Sequence, residues 1–350
     1  MNPLDLHGEA WSQLDARRAR LPHALLITGQ KAIGKRALAQ AFAESLLCER
    51  PSPEHRACGS CAACGWLAQG NHPDFRLVQP DALAEDDDKP EAEGKSEGKK
   101  KPSQQITIDQ IRALDDFLHV GTHRQGARVV LIHPAEAMNR ATANALLKSL
   151  EEPAPSTLFI LVSNESDRLL PTIRSRCQVL AVPTPPSELS TRWLSANGVT
   201  DAAHWLALAG GAPLQALDLA QSDEGALLDA LLAELVRAPR LDPLLAAAAL
   251  DRAVKADKRP ASLKRLVEWM QKWLADLALV AHACPPRFFL SQGEALARQA
   301  AASDATRILA FGRKALQYKA QCEQPLNSRL FLEDLVLGFV ALFRSDTRRP

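Results

Sequence analysis

Aromatic side chains are scarce in this chain, at 5% of 350 residues with a single tyrosine. With few aromatics, many alanines and leucines and a hydrophobic share of 46%, the composition favours helices and leaves ample apolar surface for real cores. An excess of either charge is also lacking. The net charge of +1 gives none of the global basic footprint of a chain that binds DNA alone, while DNA contact within a larger assembly stays open. No apolar run is long enough to span a bilayer, since Trp273 to Cys284 is too short and carries Asp276. The N-terminus carries Asp5, Glu9 and Asp15 and lacks the apolar core of a signal peptide. The expectation is a cytoplasmic protein with no membrane partner, whose seven cysteines stay reduced or bind metal rather than pair. The length suggests roughly two to three domains.

What is present begins with ALLITGQKAIGKRALAQAFAESLL. A short apolar run ends at Thr28, a glycine loop follows from Gly29 to Gly34-Lys35, and Leu38, Phe42 and Leu46 then recur four apart on one helix face. In a strand–loop–helix setting GxxxxGK is a phosphate cradle. Glycines let backbone N–H groups turn inward, the helix N-terminus adds positive potential, and Lys35 reaches the β- and γ-phosphates. Where the motif wants Ser or Thr for Mg²⁺, this chain has Arg36. Gly29, Gly34 and Lys35 are therefore candidate nucleotide-binding residues of a degenerate loop.

Cys48, Cys58, Cys61 and Cys64 follow that helix in overlapping Cys-x-x-Cys steps. Four thiolates suit a structural Zn²⁺ with no open position. An iron–sulfur cluster is the metal rival, but its common run places the fourth cysteine where Ala68 stands. Cys177, Cys284 and Cys322 stand alone and read as ordinary buried thiols, and His55 and His72 exceed what a four-thiolate site needs.

Strands are expected at 75–78, 128–132, 157–162 and 178–182, alternating with helices that include one capped by Thr107 and Gln110 and one over 144–150. Apolar strands alternating with helices imply a mostly parallel sheet covered on both faces. From Asp81 to Lys101 the chain turns acidic and then lysine-rich, which predicts a mobile surface loop. Beyond Pro183 only helices are expected, with Trp269, Trp273, Leu277 and Val280 on one core stripe. The fold class is thus α/β followed by all-α.

The block from Asn144 to Cys177 resembles the clamp-loader branch of the AAA+ ATPases. The likeness is carried by NALLK…LEEP and by Ser175-Arg176-Cys177, and with the four-cysteine insertion it is close to the bacterial DNA polymerase III subunits. Motif likeness covers about Pro22 to Val182, and NSRLFLEDLVL (Asn327 to Leu337) is similar to the family's collar. The resemblance implies a RecA-like AAA+ domain over 1–183, containing a zinc module at 48–64 and the charged loop at 81–103. A helical lid over 184–222 and a helical collar over 223–350 would follow.

Departures from the family pattern narrow the implied role. The ATP-hydrolysing members end their third strand in an Asp-Glu pair, whereas here it runs into His133-Pro134. Glu136 lies shortly past the strand end, after His133-Pro134-Ala135, and reads as a solvated helix-start residue. Leu214 stands where the lid would need a sensor arginine. Arg176 survives, at the position from which the family projects an arginine finger into a neighbour's ATP site. The resemblance then implies a non-hydrolysing stator with no self-sufficient active site, within a DNA-directed DNA polymerase holoenzyme. Its partners would be gamma/tau and delta subunits in a hetero-oligomeric ring, the sliding clamp, and primer-template DNA through the complex. Three competing readings stay open: a working ATPase using Lys35, a zinc protein that touches DNA directly, and an Arg176 that merely pairs with local carboxylates such as Glu165 or Asp167.

Overall fold

Apolar runs with few polar interruptions form a parallel sheet of β1 (Ala24–Thr28), β2 (Phe75–Val78), β3 (Arg128–Ile132), β4 (Thr157–Ser163) and β5 (Gln178–Ala181), in the order β2-β3-β4-β1-β5. The computed structural model describes residues 2–83, 102–119, 126–222, 225–257, 259, 261–322, 324 and 327–343. The chain divides into two compact units, 1–186 and 187–350. The stretch expected to be a mobile charged loop falls mostly on 84–101, outside the described residues; Asp81–Leu83 is a short 3-10 turn.

The register sets Leu26 opposite Leu161 of β4 on one side and Val179 of β5 on the other. Every residue of β3 and β4 is buried, as expected for central strands of a sheet covered on both faces. β5 is different. It lies at the edge, only Leu180 is buried, and Val182 continues its pairing through an N–H to Thr28 O at 2.8 Å.

The helices of the first unit are α1 (Gly8–Ala16), α2 (Lys35–Leu47), α3 (Ala62–Ala68), α4 (Ile108–His119), α5 (Arg140–Glu151) and α6 (Pro171–Arg174). At the start of α4 the expected capping box forms, with Thr107 N–H donating to Gln110 Oε1 at 2.9 Å and Gln110 N–H to Thr107 Oγ1 at 3.4 Å. Ile111, Leu114 and Leu118 of α4 join Leu146 and Leu150 of α5 against Val130, Ile132, Phe159 and Leu161 of the sheet. This is the parallel sheet packed against helices that the alternation of strands and helices led one to expect. It brings the residues that follow β1, β3 and β4 to the carboxyl end of the sheet, where open α/β sheets hold ligands.

The second unit is helical, with no strand among its described residues. It comprises α7 (Ser187–Ala196), α8 (Ala202–Leu208), α9 (Pro213–Gln221), α10 (Gly225–Leu235), α11 (Pro243–Ala256), α12 (Ser262–Ala281), α13 (Gly293–Ala301), α14 (Ala305–Gln321) and α15 (Ser328–Ala341). Trp269, Trp273 and Leu277 of α12 are buried, and Val280 is half-buried. Trp273 Nε1–H donates to Gln299 Oε1 at 3.0 Å, and Gln299 Nε2–H donates to Leu235 O at 2.6 Å. Asp276 is fully buried, and its carboxyl oxygens receive the N–H groups of Arg287, Phe288 and Phe289 at 2.7–3.2 Å. Among the described residues no helix is long and apolar enough to cross a membrane.

Candidate functional site

Gly29 and Gly34 adopt φ of +148° and +104°, in the region that favours glycine, so the chain can reverse tightly between β1 and α2. Lys35, the first residue of α2, is 3% exposed and folds back over this turn. Its ammonium donates to Gly29 O at 2.8 Å, Gln30 O at 2.5 Å and Asn164 Oδ1 at 2.8 Å, which uses all three protons. Burial lowers its pKa to about 8, with the Glu136 carboxylate pulling the other way. Arg36, next along the helix, is exposed.

The end of β3 carries no acidic pair. His133 is held neutral, its pKa lowered to about 4 first by burial and then by the charge of Arg36. A neutral imidazole followed by proline supplies no carboxylate for Mg²⁺ and none to orient an attacking water. Glu136 corrects an expectation: it is half-buried and not simply solvated. Its carboxylate accepts from Asn164 N–H at 3.1 and 3.2 Å and from Asn164 Nδ2–H at 2.9 Å. Lys35, Asn164 and Glu136 therefore link the glycine loop, the end of β4 and the turn after β3. Asn164 went unremarked in the sequence; the signal was a pair of polar residues, Ser163 and Asn164, closing the apolar run of 158–162. Leu214 lies in α9 of the second unit.

Arg176 follows α6 and has a side chain 34% exposed. Its Nη2 pairs with Glu151 at the end of α5 at 2.5 Å, and its Nη1–H donates to Thr172 O at 2.9 Å. Arg174 pairs with Asp167 at 3.3 Å and Arg168 with Glu165 at 3.2 Å. In the free chain Arg176 thus does have a local carboxylate partner, one contributed by the LEEP helix rather than by Glu165 or Asp167.

The four cysteines come together as their spacing suggested. Their sulfurs all lie within 4.8 Å of one another, with Cys48–Cys61 at 3.9 Å and Cys58–Cys64 at 4.0 Å. A regular tetrahedron with Zn–S bonds of about 2.3 Å has edges of about 3.8 Å, so the donor set fits that ion. Cys61 also caps α3, its Sγ accepting Cys64 N–H at 3.4 Å, and Cys48 Sγ accepts Cys58 N–H at 3.3 Å. Hydrogen bonds from Ser60 draw the Cys58 thiol down to about 5. His55 bonds Asp15 at 2.8 Å, and His72 accepts Asp74 N–H at 3.0 Å, so neither joins the sulfur cluster. Of the lone cysteines, Cys177 and Cys322 are half-buried and Cys284 is exposed on the turn after α12, which corrects the expectation of buried thiols.

Residues 9–186 match a protein-family model described as DNA polymerase III, delta subunit. A DNA polymerase III subunit delta' of Pseudomonas aeruginosa is 45% identical over 210 residues, 59% of this chain and 58% of that protein. The subunit delta' of Escherichia coli K12 is 34% identical over 204 residues, 57% of this chain and 55% of the relative. The matches thus span little more than half the length of these relatives. Among solved structures, a DNA polymerase III gamma subunit-related protein of Thermotoga maritima is similar at a TM-score of 0.46 and 19% identity, over 96% of this chain and 100% of the other.

Proposed function

The chain belongs to the DNA polymerase III delta-subunit family, and from that premise we propose that it is a clamp-loader subunit of delta' type. In this reading it hydrolyses no ATP itself and supplies Arg176 to the ATP site of a neighbouring subunit. The observation that carries the reading is the end of β3. His133-Pro134 replaces an acidic pair, and the nearby Glu136 carboxylate is engaged by Asn164. Arg36 in place of the Mg²⁺-holding hydroxyl and Leu214 in place of a lid arginine agree with it.

Arg176 suits the role because it is accessible and weakly held. Its pair with Glu151 joins two partly exposed side chains, 34% and 48%. Pairs of this kind contribute about 0–1 kcal/mol, so exchanging Glu151 for a partner's phosphate oxygens costs little. A guanidinium there would stabilise charge on a transferring phosphoryl group in trans. The helices of 184–222 would form a lid and those of 223–350 a collar that joins gamma/tau and delta subunits in a ring. The cysteine module would hold one structural Zn²⁺. The assembled ring, working in the cytoplasm, would open the sliding clamp and load it on primer-template DNA.

Reconstitution tests this. The chain alone should turn over ATP no faster than a buffer blank, and adding it to the other loader subunits should be required for clamp- and DNA-stimulated hydrolysis. Turnover by the isolated chain that Lys35→Ala abolishes would make it an ATPase in its own right and defeat the reading.

A further inference from the structure

The segment ahead of α1 is ordered against the glycine loop. Pro3–Leu6 forms a 3-10 turn stitched at its start, where Asn2 Oδ1 accepts Leu4 N–H at 3.0 Å and the Asp5 carboxylate accepts Asn2 N–H at 3.0 Å. Leu6 and His7 are buried. His7 Nε2–H donates to Ile33 O at 2.5 Å, inside the loop. A Cβ on Gly34 would lie 3.1 Å from that nitrogen and 3.8 Å from Pro3 Cβ, so the segment sits directly on the loop. Trp11 of α1 anchors it from behind, edge-on to Phe42 of α2 with ring centres 6.3 Å apart.

The other end of the loop is held as well. A Cβ on Gly29 would lie 2.4 Å from Val182 O, and Thr184 Oγ1–H donates to the Gln30 side-chain oxygen at 2.9 Å. Between these restraints Lys35 is 3% exposed and all its protons are on the chain's own oxygens. A phosphate oxygen can reach Nζ only by displacing one of them and opening the loop. Yet the parts of a cradle remain: two glycines with positive φ, Lys35, and an α2 N-terminus that receives no side-chain cap.

We propose that Asn2–His7 is an internal latch that keeps loop 29–35 shut against nucleoside di- and triphosphates, and that the loop binds them when the latch is released. The inference rests on reading this loop as a phosphate cradle that no longer serves hydrolysis. A latch closed in 99 of 100 molecules lowers apparent affinity about a hundredfold, which sets the scale of the effect.

The test is titration of the full chain with a fluorescent ADP analogue, with and without Mg²⁺, and competition by unlabelled ADP. The wild-type chain should bind at least tenfold more weakly than His7→Ala. Adding Lys35→Met to that variant should abolish the gained binding. His7→Gln keeps a side-chain N–H donor and should stay close to wild type. Asp5→Ala loosens the stitched turn without touching the loop and should bind more tightly than wild type, which covers the case of a poorly folded His7→Ala. If neither His7→Ala nor Asp5→Ala gains affinity, or if the wild-type chain already binds as tightly as they do, the latch is wrong. ATP turnover is read in parallel: hydrolysis by the wild-type chain would defeat the stator reading, whereas silence with no gain in binding defeats only the latch.

Discussion

Asp276→Ala tests whether one buried carboxyl group organises the second unit. The side chain is fully buried, and its two oxygens receive four hydrogen bonds from three successive backbone N–H groups at 287–289. These bonds turn the chain after α12 so that Phe289 packs against Trp273, ring centres 5.3 Å apart. With alanine, the buried Phe289 N–H loses its acceptor, at a cost of about 1–3 kcal/mol for an orphaned buried donor. Arg287 is exposed and Phe288 half-buried, so their N–H groups can turn to water and lose about 1 kcal/mol each. The sum is about 3–5 kcal/mol, which for a unit of this size shifts Tm by about 6–20 °C. Calorimetry of the full chain, with hydrogen exchange on α12 and α13 to identify the transition, measures it. The variant should lose assembly with partner subunits while the first unit keeps its melting behaviour. A shift below 2 °C, with unchanged exchange around 287–289, would refute the role given to Asp276.

Metal analysis of chain purified without added metal should return one Zn²⁺ per molecule, and Cys61→Ser should loosen 48–68 without unfolding the sheet; iron, or clearly substoichiometric zinc, would contradict the assignment. Lys35 gives a pH signature. Its folded pKa of about 8 lies below the ordinary value of 10.5, so between those values the unfolded chain keeps a proton that the folded chain has released. Stability from this group therefore rises with pH across that window, by at most about 3 kcal/mol, and denaturation curves of Lys35→Met should lack the rise.

Much of the first unit was legible because β3 and β4 are buried on both faces and leave unbroken apolar runs, and because Thr107 and Gln110 carry a capping signature in four residues. α3 was not foreseen, since its seven residues, AACGWLA, are too few to show a helical period and their cap is the thiol of Cys61. The early start of α5 rests on Asn139, whose Oδ1 accepts Thr142 N–H at 2.9 Å ahead of any apolar stripe. That β5 lies at an edge is a property of strand order, which no single strand contains. At the site, local spacing revealed the glycines, Lys35 and the four cysteines. The Lys35–Asn164 contact joins residues 129 apart in sequence, and His7 meets Ile33 across 26, so only the fold brings them together.

The central claim is that Arg176 acts on another subunit's ATP, and single-turnover ATP hydrolysis by the assembled loader, wild type against Arg176→Ala, tests it most directly. Because Arg176 is partly exposed and its pair with Glu151 is weak, the variant should melt and assemble nearly as the wild type does. Hydrolysis at the neighbouring site should nevertheless fall, by up to about a thousandfold on the scale of arginine fingers, with poor rescue by Arg176→Lys, whose ammonium lacks the planar fork. An assembled Arg176→Ala loader that hydrolyses ATP at the wild-type rate would leave Arg176 as no more than the partner of Glu151.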